Sequence, residues 1–142
     1  MQYPTISYLT KVQFGAGSLA DLPEVIQCVG MRRPLVVTDG GLLEQGFVDC
    51  LGLDKPVVFS DIETNPTEAS VLLGVETYRK KACDGIIALG GGSPMDAAKA
   101  IGILATHKVA LEDTAFIYGG LEKITSAVAP IIAIPTTAGT GS

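Results

Sequence analysis

Residues 85–99, which read GIIALGGGSPMDAAK, constrain the fold more than any other stretch of the chain. The stretch opens with an uninterrupted apolar run over 85–89, a pattern typical of a strand buried on both faces of a parallel sheet. Gly90, Gly91 and Gly92 then end the strand, and glycine tolerates both positive φ and a close approach of the backbone to a ligand. The pattern therefore predicts a central strand that delivers a bare, tight turn.

A helix is expected directly after these glycines. Ser93 is a favoured N-cap, Pro94 a favoured first helical residue, and Asp96 stands where it would complete a capping box. The predicted helix covers 94–106. Its first N–H groups lack intrahelical partners and the helix dipole adds partial positive charge, so a phosphate fits there without a lysine. The alternative is a tight connection in which the glycines only relieve crowding.

Composition narrows the class of protein. A chain of 142 residues with 47% hydrophobic residues and 17 glycines suits one domain with a buried parallel sheet and tight turns. A net charge of −5 and a pI near 4.7 argue against binding nucleic acid or an anionic membrane. No apolar run approaches the roughly 18 residues of a membrane span, and the first residues lack a signal-peptide pattern. Cys28, Cys50 and Cys83 form no C-x-x-C pair, which favours reduced thiols in the cytoplasm.

The first part of the chain contains a formal dinucleotide fingerprint. Residues 5–14 alternate polar and apolar side chains, which predicts an exposed edge strand or hairpin. The following GAGSLA at 15–20 matches G-x-G-x-x-A, but that fingerprint requires a buried first strand, and this one is too polar. A turn into a helix over 18–29, restarted at Pro23, is the better interpretation.

A second apolar strand, 34–38, ends at Asp39. An acidic residue just past the carboxyl end of such a strand can accept hydrogen bonds from ribose hydroxyls and would repel a 2′-phosphate, which favours NAD over NADP. Alternatively, Asp39 is simply the N-cap of a helix over 42–51. The residues alone leave both roles open.

The rest of the chain continues the alternation of strands and helices. A strand over 56–60 and a loop over 61–66 precede a helix over 67–82, whose sheet-facing stripe is Val71, Val75, Tyr78 and Ala82. Residues 109–129 carry no clear pattern. A buried strand over 130–134 delivers the hydroxyl-rich loop PTTAGTGS at 135–142, which can bind phosphates or sugar. Because that loop resembles the entry to another helix, we expect the chain to be the N-terminal portion of a longer polypeptide.

This order of elements predicts an α/β fold: a doubly wound, mostly parallel, Rossmann-like sheet in one domain over 1–142, with the edge strand or hairpin at its start. Connections between parallel strands bring the carboxyl ends together at one edge. We therefore expect Asp39, the glycine turn and the threonine loop to lie along the same edge.

Two motifs carry a family resemblance: GGGSPMDAAK at 90–99 and PTTAGTGS at 135–142. Together with FGAGSL, TDGGL and TNPT elsewhere in the chain, they resemble the iron-dependent (group III) alcohol dehydrogenases over the whole length. In that family the N-terminal domain binds NAD(P). The resemblance implies that Gly91, Gly92 and Ser93 hold the pyrophosphate and that Asp96 supports the turn. It also implies that Asp39 discriminates at the adenosine ribose. The further residues that it implies contact the cofactor are Asn65, Thr136, Thr137 and Thr140.

The same resemblance bears on catalysis. The family's helical C-terminal domain supplies one Asp and three His to Fe²⁺ or Zn²⁺, whereas this chain has a single histidine, His107. The resemblance thus implies a cofactor half with no catalytic or metal-binding residue of its own, inactive as an isolated chain. The full-length protein would be an NAD-dependent dehydrogenase that acts on a primary or small alcohol or aldehyde. It would also form a homo-oligomer, namely a dimer.

Two alternatives belong to other functional classes. A lyase of the dehydroquinate-synthase group shares the fold and a glycine-rich NAD turn, but TTAGTGS argues against it. The other alternative is a non-catalytic nucleotide-binding module that functions as it stands.

Overall fold

The structure, a computed structural model, describes residues 10–114, 120–125 and 127–142. Four parallel strands form one sheet in the order β2-β1-β3-β4. The strands are β1 Pro34–Val37, β2 Val57–Phe59, β3 Gly85–Gly90 and β4 Ile131–Pro135. The α-helices are α1 Leu22–Cys28, α2 Gly40–Glu44, α3 Glu68–Lys80, α4 Gly92–Thr106 and α5 Gly120–Lys123, with short 3₁₀ turns at Ser18–Asp21, Asp49–Leu51 and Glu112–Thr114.

Strand β3 is one of the two interior strands of the sheet, as its apolar run predicts. All its residues are buried, and it pairs with β1 on one side and β4 on the other. Ile86, for example, lies between Leu35 and Ile131 in register. A strand with two neighbours and two covered faces has no solvent-facing side, which explains why its sequence shows no polar alternation.

Helices cover both faces of the sheet, which confirms the doubly wound α/β prediction. One apolar cluster joins the sheet to α3 and α4 through residues such as Val75 and Ile101, and a second joins the opposite face to Leu22 of α1 and to Leu51. Helices α3 and α4 approach closely at Gly74, where a Cβ would lie 2.9 Å from Ile101 Cγ1. None of the helices among the described residues is long and apolar enough to cross a membrane.

The predicted N-terminal strand falls largely outside the described residues. Of the predicted 5–14, only 10–14 are described, and they form no strand and are exposed to solvent, with Phe14 fully so. The following helix divides just before Pro23, which is the second residue of α1, and a 3₁₀ turn over Ser18–Asp21 precedes α1.

Two predicted helices are shorter than expected because the backbone turns left-handed. Gly46, at φ +76°, separates α2 from the 3₁₀ turn at Asp49–Leu51, so no continuous helix covers 42–51. Ala82, at φ +51°, lies beyond the end of α3 and is exposed, so its placement in the sheet-facing stripe is wrong. Val71, Val75 and Tyr78 are buried as predicted.

A carboxylate fixes the amino edge of the sheet. Asp84 accepts hydrogen bonds from the backbone N–H groups of Arg32 (2.9 Å) and Arg33 (2.8 Å), so it ties the segment before β1 to the start of β3. Close by, burial raises the pKa of the Cys83 thiol, and burial followed by the negative charge of Asp84 raises the pKa of Tyr78. This edge is structural and lies opposite the strand ends at which ligands bind in open α/β sheets.

Candidate functional site

A cleft of about 700 Å³ opens at the carboxyl edge of the sheet. All four strands deliver residues to it, as parallel topology requires. The segment after β1 contributes Asp39, Gly40, Gly41, Leu42 and Gln45, and the loop after β2 contributes Ile62, Glu63 and Thr64. The turn after β3 contributes Gly91, Gly92, Ser93 and Pro94, and the loop after β4 contributes Thr136 and Thr137. The volume lies within the range of small-molecule and cofactor sites.

Helix α4 begins at the glycine turn, two residues earlier than predicted. Its N-cap is Gly91, not Ser93, and no side chain caps it, so the capping box between Ser93 and Asp96 is not formed. Gly91 adopts an extended conformation (φ −82°, ψ −158°) that lets the helix start at Gly92. Because side chains leave the first turn uncapped, its N–H groups stay available to a ligand in the cleft.

Two features favour glycine at the turn. Gly90 has φ +147°, where a side chain is strained, and a Cβ there would lie 2.7 Å from Pro94 Cγ. At the next two positions the threonine loop approaches closely: a Cβ on Gly91 would be 3.1 Å from Thr137 Oγ1, and one on Gly92 would be 3.0 Å from Ser142 Oγ. The two motifs, 45 residues apart in sequence, therefore form one surface with bare backbone on one side and hydroxyls on the other.

The threonine loop extends the sheet before it turns over α4. Thr136 N–H donates to Gly90 C=O at 2.9 Å, and Thr140 lies beside Gly92, its Cβ 3.4 Å from where a Cβ of the glycine would stand. Further along, Ser142 Oγ donates to Asp96 Oδ2 at 3.1 Å. The other Asp96 oxygen faces Lys99 Nζ at 3.4 Å on the surface of the helix. Asp96 thus fastens the threonine loop to α4 and is not among the residues that line the cleft.

Asp39 combines the two roles that the sequence leaves open. Its Oδ1 accepts the Leu42 N–H at 3.0 Å and so caps α2, while the half-buried side chain also lines the cleft. Within the described part of the chain its Oδ2 accepts no hydrogen bond. The cap therefore leaves one carboxylate oxygen free to accept from a ligand hydroxyl.

Asn65 is brought to the glycine turn by its backbone. Its N–H donates to Ser93 Oγ at 3.2 Å, and its φ of +60° belongs to the left-handed region, which asparagine tolerates better than most residues. The exposed side chain does not line the cleft, whereas its neighbours Ile62, Glu63 and Thr64 do.

Sequence reasoning missed eight of the residues that line the cleft: Gly40, Gly41, Leu42, Gln45, Ile62, Glu63, Thr64 and Pro94. The signal that could have found residues 62–64 is their place directly after β2, at the same edge as the other three strand ends. Gly15 and Gly17 do not line the cleft, and Gly17 (φ +84°) is the N-cap of a 3₁₀ turn, so the fingerprint-like GAGSLA acts as a turn into a helix.

His107 lies at the far end of α4, away from the cleft. Its Nδ1 is 3.1 Å from Ile103 C=O, and its Nε2 accepts the Thr125 N–H at 3.0 Å. It therefore serves the helix end and the following segment. Across the described ranges, no three His, Cys, Asp or Glu side chains cluster as a metal site requires.

These features define a doubly wound α/β domain whose ligand cleft lies at the carboxyl ends of its strands. The model of the family "iron-containing alcohol dehydrogenase" matches residues 10–142. The chain belongs to that family. The match favours the alcohol dehydrogenase interpretation over the dehydroquinate-synthase alternative.

Curated relatives and solved structures agree with this assignment. The chain is 44% identical to a 4-hydroxybutyrate dehydrogenase of Cupriavidus necator, over 96% of this chain and 37% of the relative. It is 39% identical to a 1,3-propanediol dehydrogenase of Citrobacter freundii, over 100% of this chain and 38% of the relative. An NADH-dependent butanol dehydrogenase A from Thermotoga maritima aligns with a TM-score of 0.80 at 29% identity, over 99% of this chain and 36% of that one. A sulfoacetaldehyde reductase from Bifidobacterium kashiwanohense in complex with NAD⁺ aligns with a TM-score of 0.81 at 28% identity, over 99% of this chain and 38% of that one. The chain thus spans less than two-fifths of these relatives.

Proposed function

We propose that this chain is the dinucleotide-binding part of a metal-dependent alcohol dehydrogenase that transfers a hydride between a primary or small alcohol or aldehyde and NAD. The observation that carries the proposal is the uncapped first turn of α4, which opens into a cleft lined by the end of every strand. Family membership and relatives that act on small alcohols support the reaction class.

The cleft fits the parts of NAD one by one. The N–H groups of Gly92 and Ser93 would donate to the pyrophosphate, whose negative charge the helix dipole favours. A Cβ at Gly91 or Gly92 would press on Thr137 or Ser142 of the threonine loop, so the bare backbone keeps that loop close beside the proposed phosphate position. On the opposite side, Asp39 Oδ2 would accept from the adenosine ribose hydroxyls, while Thr136 and Thr137 offer hydroxyl groups beside the turn.

We assign the chemistry of the reaction to the bound nicotinamide, which supplies or accepts the hydride. The residues of this chain bind and orient the dinucleotide and hold no catalytic group. In the proposal, Fe²⁺ or Zn²⁺ is held by residues of a helical C-terminal domain of the natural protein, where it would act as a Lewis acid. We accordingly expect the 142-residue chain by itself to show no dehydrogenase turnover. We further propose a cytoplasmic homo-oligomer, most simply a dimer, that binds neither nucleic acid nor membrane.

NAD is proposed over NADP because the ribose side of the cleft is acidic. Asp39 and Glu63 both line it, and no lysine or arginine is among the lining residues. The 2′-phosphate of NADP would place further negative charge next to these carboxylates in a partly desolvated cleft. Repulsion there would lower NADP affinity relative to NAD.

Titration of NAD and NADP against the natural protein and its Asp39→Gly variant tests this proposal. Loss of a charge-assisted hydrogen bond is worth roughly 1.5–3 kcal/mol, so NAD affinity should fall about 10- to 150-fold while NADP affinity holds or rises. Glycine is itself an acceptable N-cap, so α2 should lose only a few tenths of a kcal/mol. Asp54→Gly, which removes an exposed aspartate before β2 at the other edge, is the matched control and should change neither affinity. Equal losses for both cofactors in Asp39→Gly would refute the proposed ribose contact.

A further inference from the structure

We infer that Ser93 is a positioning residue, which holds the wall of the adenosine side of the cleft in addition to any contact with phosphate. The inference rests on the proposed function and deepens it. Its basis is one hydrogen bond: Ser93 Oγ, in the first turn of α4, accepts the N–H of Asn65 at 3.2 Å across 28 positions of sequence.

The wall in question is the loop over 61–66, between β2 and α3. Two further anchors fix it: Ile62 is buried in the core beneath it, and Thr67 caps α3 just after it, with Thr67 Oγ1 accepting the Ser70 N–H at 3.2 Å. Glu63 and Thr64, which line the cleft, lie between Ile62 and the bond to Ser93. That bond is therefore the nearest tether on their C-terminal side.

The backbone at Asn65 explains why a tether is needed. Its φ of +60° is a left-handed conformation that an L-residue adopts at a cost unless the surroundings favour it. A hydrogen bond from its N–H to a helical side chain stabilises that conformation. Asn65 itself is exposed, so no burial of its side chain contributes to holding the loop.

A serine hydroxyl can perform two tasks at this position. It has one donor and two acceptor sites, and the bond from Asn65 uses only an acceptor, so the O–H remains free to donate into the cleft, which Ser93 lines. The residue thereby couples the phosphate end, on α4, to the wall that faces Asp39 and Leu42. Because adenosine has no phosphate, its affinity reports on the wall of the cleft alone, whereas the affinity for NAD reports on both tasks.

The test compares Ser93→Ala and Ser93→Thr with wild type in the natural full-length protein, using adenosine and NAD as probes in calorimetric titrations. We expect Ser93→Ala to weaken adenosine binding roughly 3- to 10-fold, the worth of one lost hydrogen bond, and to weaken NAD binding at least as much. Ser93→Thr keeps the hydroxyl and should restore adenosine affinity. Hydrogen–deuterium exchange of the peptide over 61–67 should accelerate in Ser93→Ala alone.

The outcomes separate the inference from the proposed function. If wild type binds no NAD, the proposed function fails. If wild type binds NAD but Ser93→Ala leaves both adenosine affinity and loop exchange unchanged, the positioning role is overturned while the proposed function stands. If Ser93→Thr is as impaired as Ser93→Ala with adenosine, the hydroxyl is not the cause and the inference is likewise overturned. Ser18→Ala, a serine-to-alanine change remote from the cleft, should match wild type throughout.

Discussion

Gly92→Ala is expected to separate ligand binding from stability. Gly92 is the first residue of the 15-residue helix α4 and does not have positive φ, so alanine is compatible with its backbone. Replacing glycine by alanine where the backbone allows it stabilises by roughly 0.4–1 kcal/mol, mainly because alanine restricts the unfolded chain. Against this, Ser142 Oγ, 3.0 Å from the new Cβ, has to shift by a few tenths of an ångström, which an exposed side chain can do. We expect the free energy of unfolding to stay within about 1 kcal/mol of wild type.

The effect on NAD should be far larger. The new methyl group would press on Ser142 and Thr140 and push the threonine loop away from the first turn of α4, beside which the pyrophosphate is proposed to lie. Losing even one charge-assisted hydrogen bond from the backbone costs roughly 1.5–3 kcal/mol, so the Kd for NAD should rise about 10- to 150-fold.

Thermal or denaturant unfolding and an NAD titration of the same Gly92→Ala preparation provide the assay. Gly15→Ala is the matched control: it adds the same methyl group in open space, and Gly15 belongs to the fingerprint-like segment outside the cleft. The control should bind NAD like wild type. Normal NAD affinity in Gly92→Ala, or its loss in Gly15→Ala instead, would refute the reasoning.

Three further predictions concern the core, one at Gly74 and two at Cys83. Gly74→Ala should destabilise the fold by about 1–3 kcal/mol, because the added Cβ overlaps the Ile101 side chain between α3 and α4; an unchanged unfolding midpoint would contradict this. The buried Cys83, whose pKa burial raises above the ordinary 9.0, should react with a thiol reagent at pH 8 more slowly than the exposed Cys28 and Cys50. The pKa of Cys83 is higher in the folded protein than in the unfolded chain. Its contribution to stability is therefore full below about pH 9 and is lost as the pH rises through the folded pKa, which unfolding measured between pH 7 and 10 would reveal. Equal labelling rates, or a free energy of unfolding that does not change with pH, would contradict these predictions.

The sequence was sufficient for the central part of the fold. An apolar run without alternation predicts a strand with two neighbours, and the rule that parallel strands end at one edge brings Asp39, the glycine turn and the threonine loop together. Both follow from chain chemistry alone, because burial on two faces and right-handed crossovers leave few other arrangements.

The start of α4 and the far wall of the cleft could not be predicted in the same way. Ser93 is a residue type that often caps helices, but Gly91 adopts an extended conformation and is the N-cap of α4 instead. The hydroxyl of Ser93 is therefore free to accept the N–H of Asn65. Glu63 and Thr64 follow β2, so their place at this edge could have been predicted, but the long-range bond between Asn65 and Ser93 beside them could not. Periodicity likewise extends α3 to Ala82, whereas the backbone leaves the helix before it.

The central claim is that backbone amides at the start of α4 hold the diphosphate of a dinucleotide. A crystal structure of the natural protein with NAD tests it most directly. The account predicts pyrophosphate oxygens within about 3 Å of the N–H groups of Gly92 and Ser93, beside the threonine loop. A pyrophosphate bound elsewhere, for instance against Gly15 and Gly17, would contradict it.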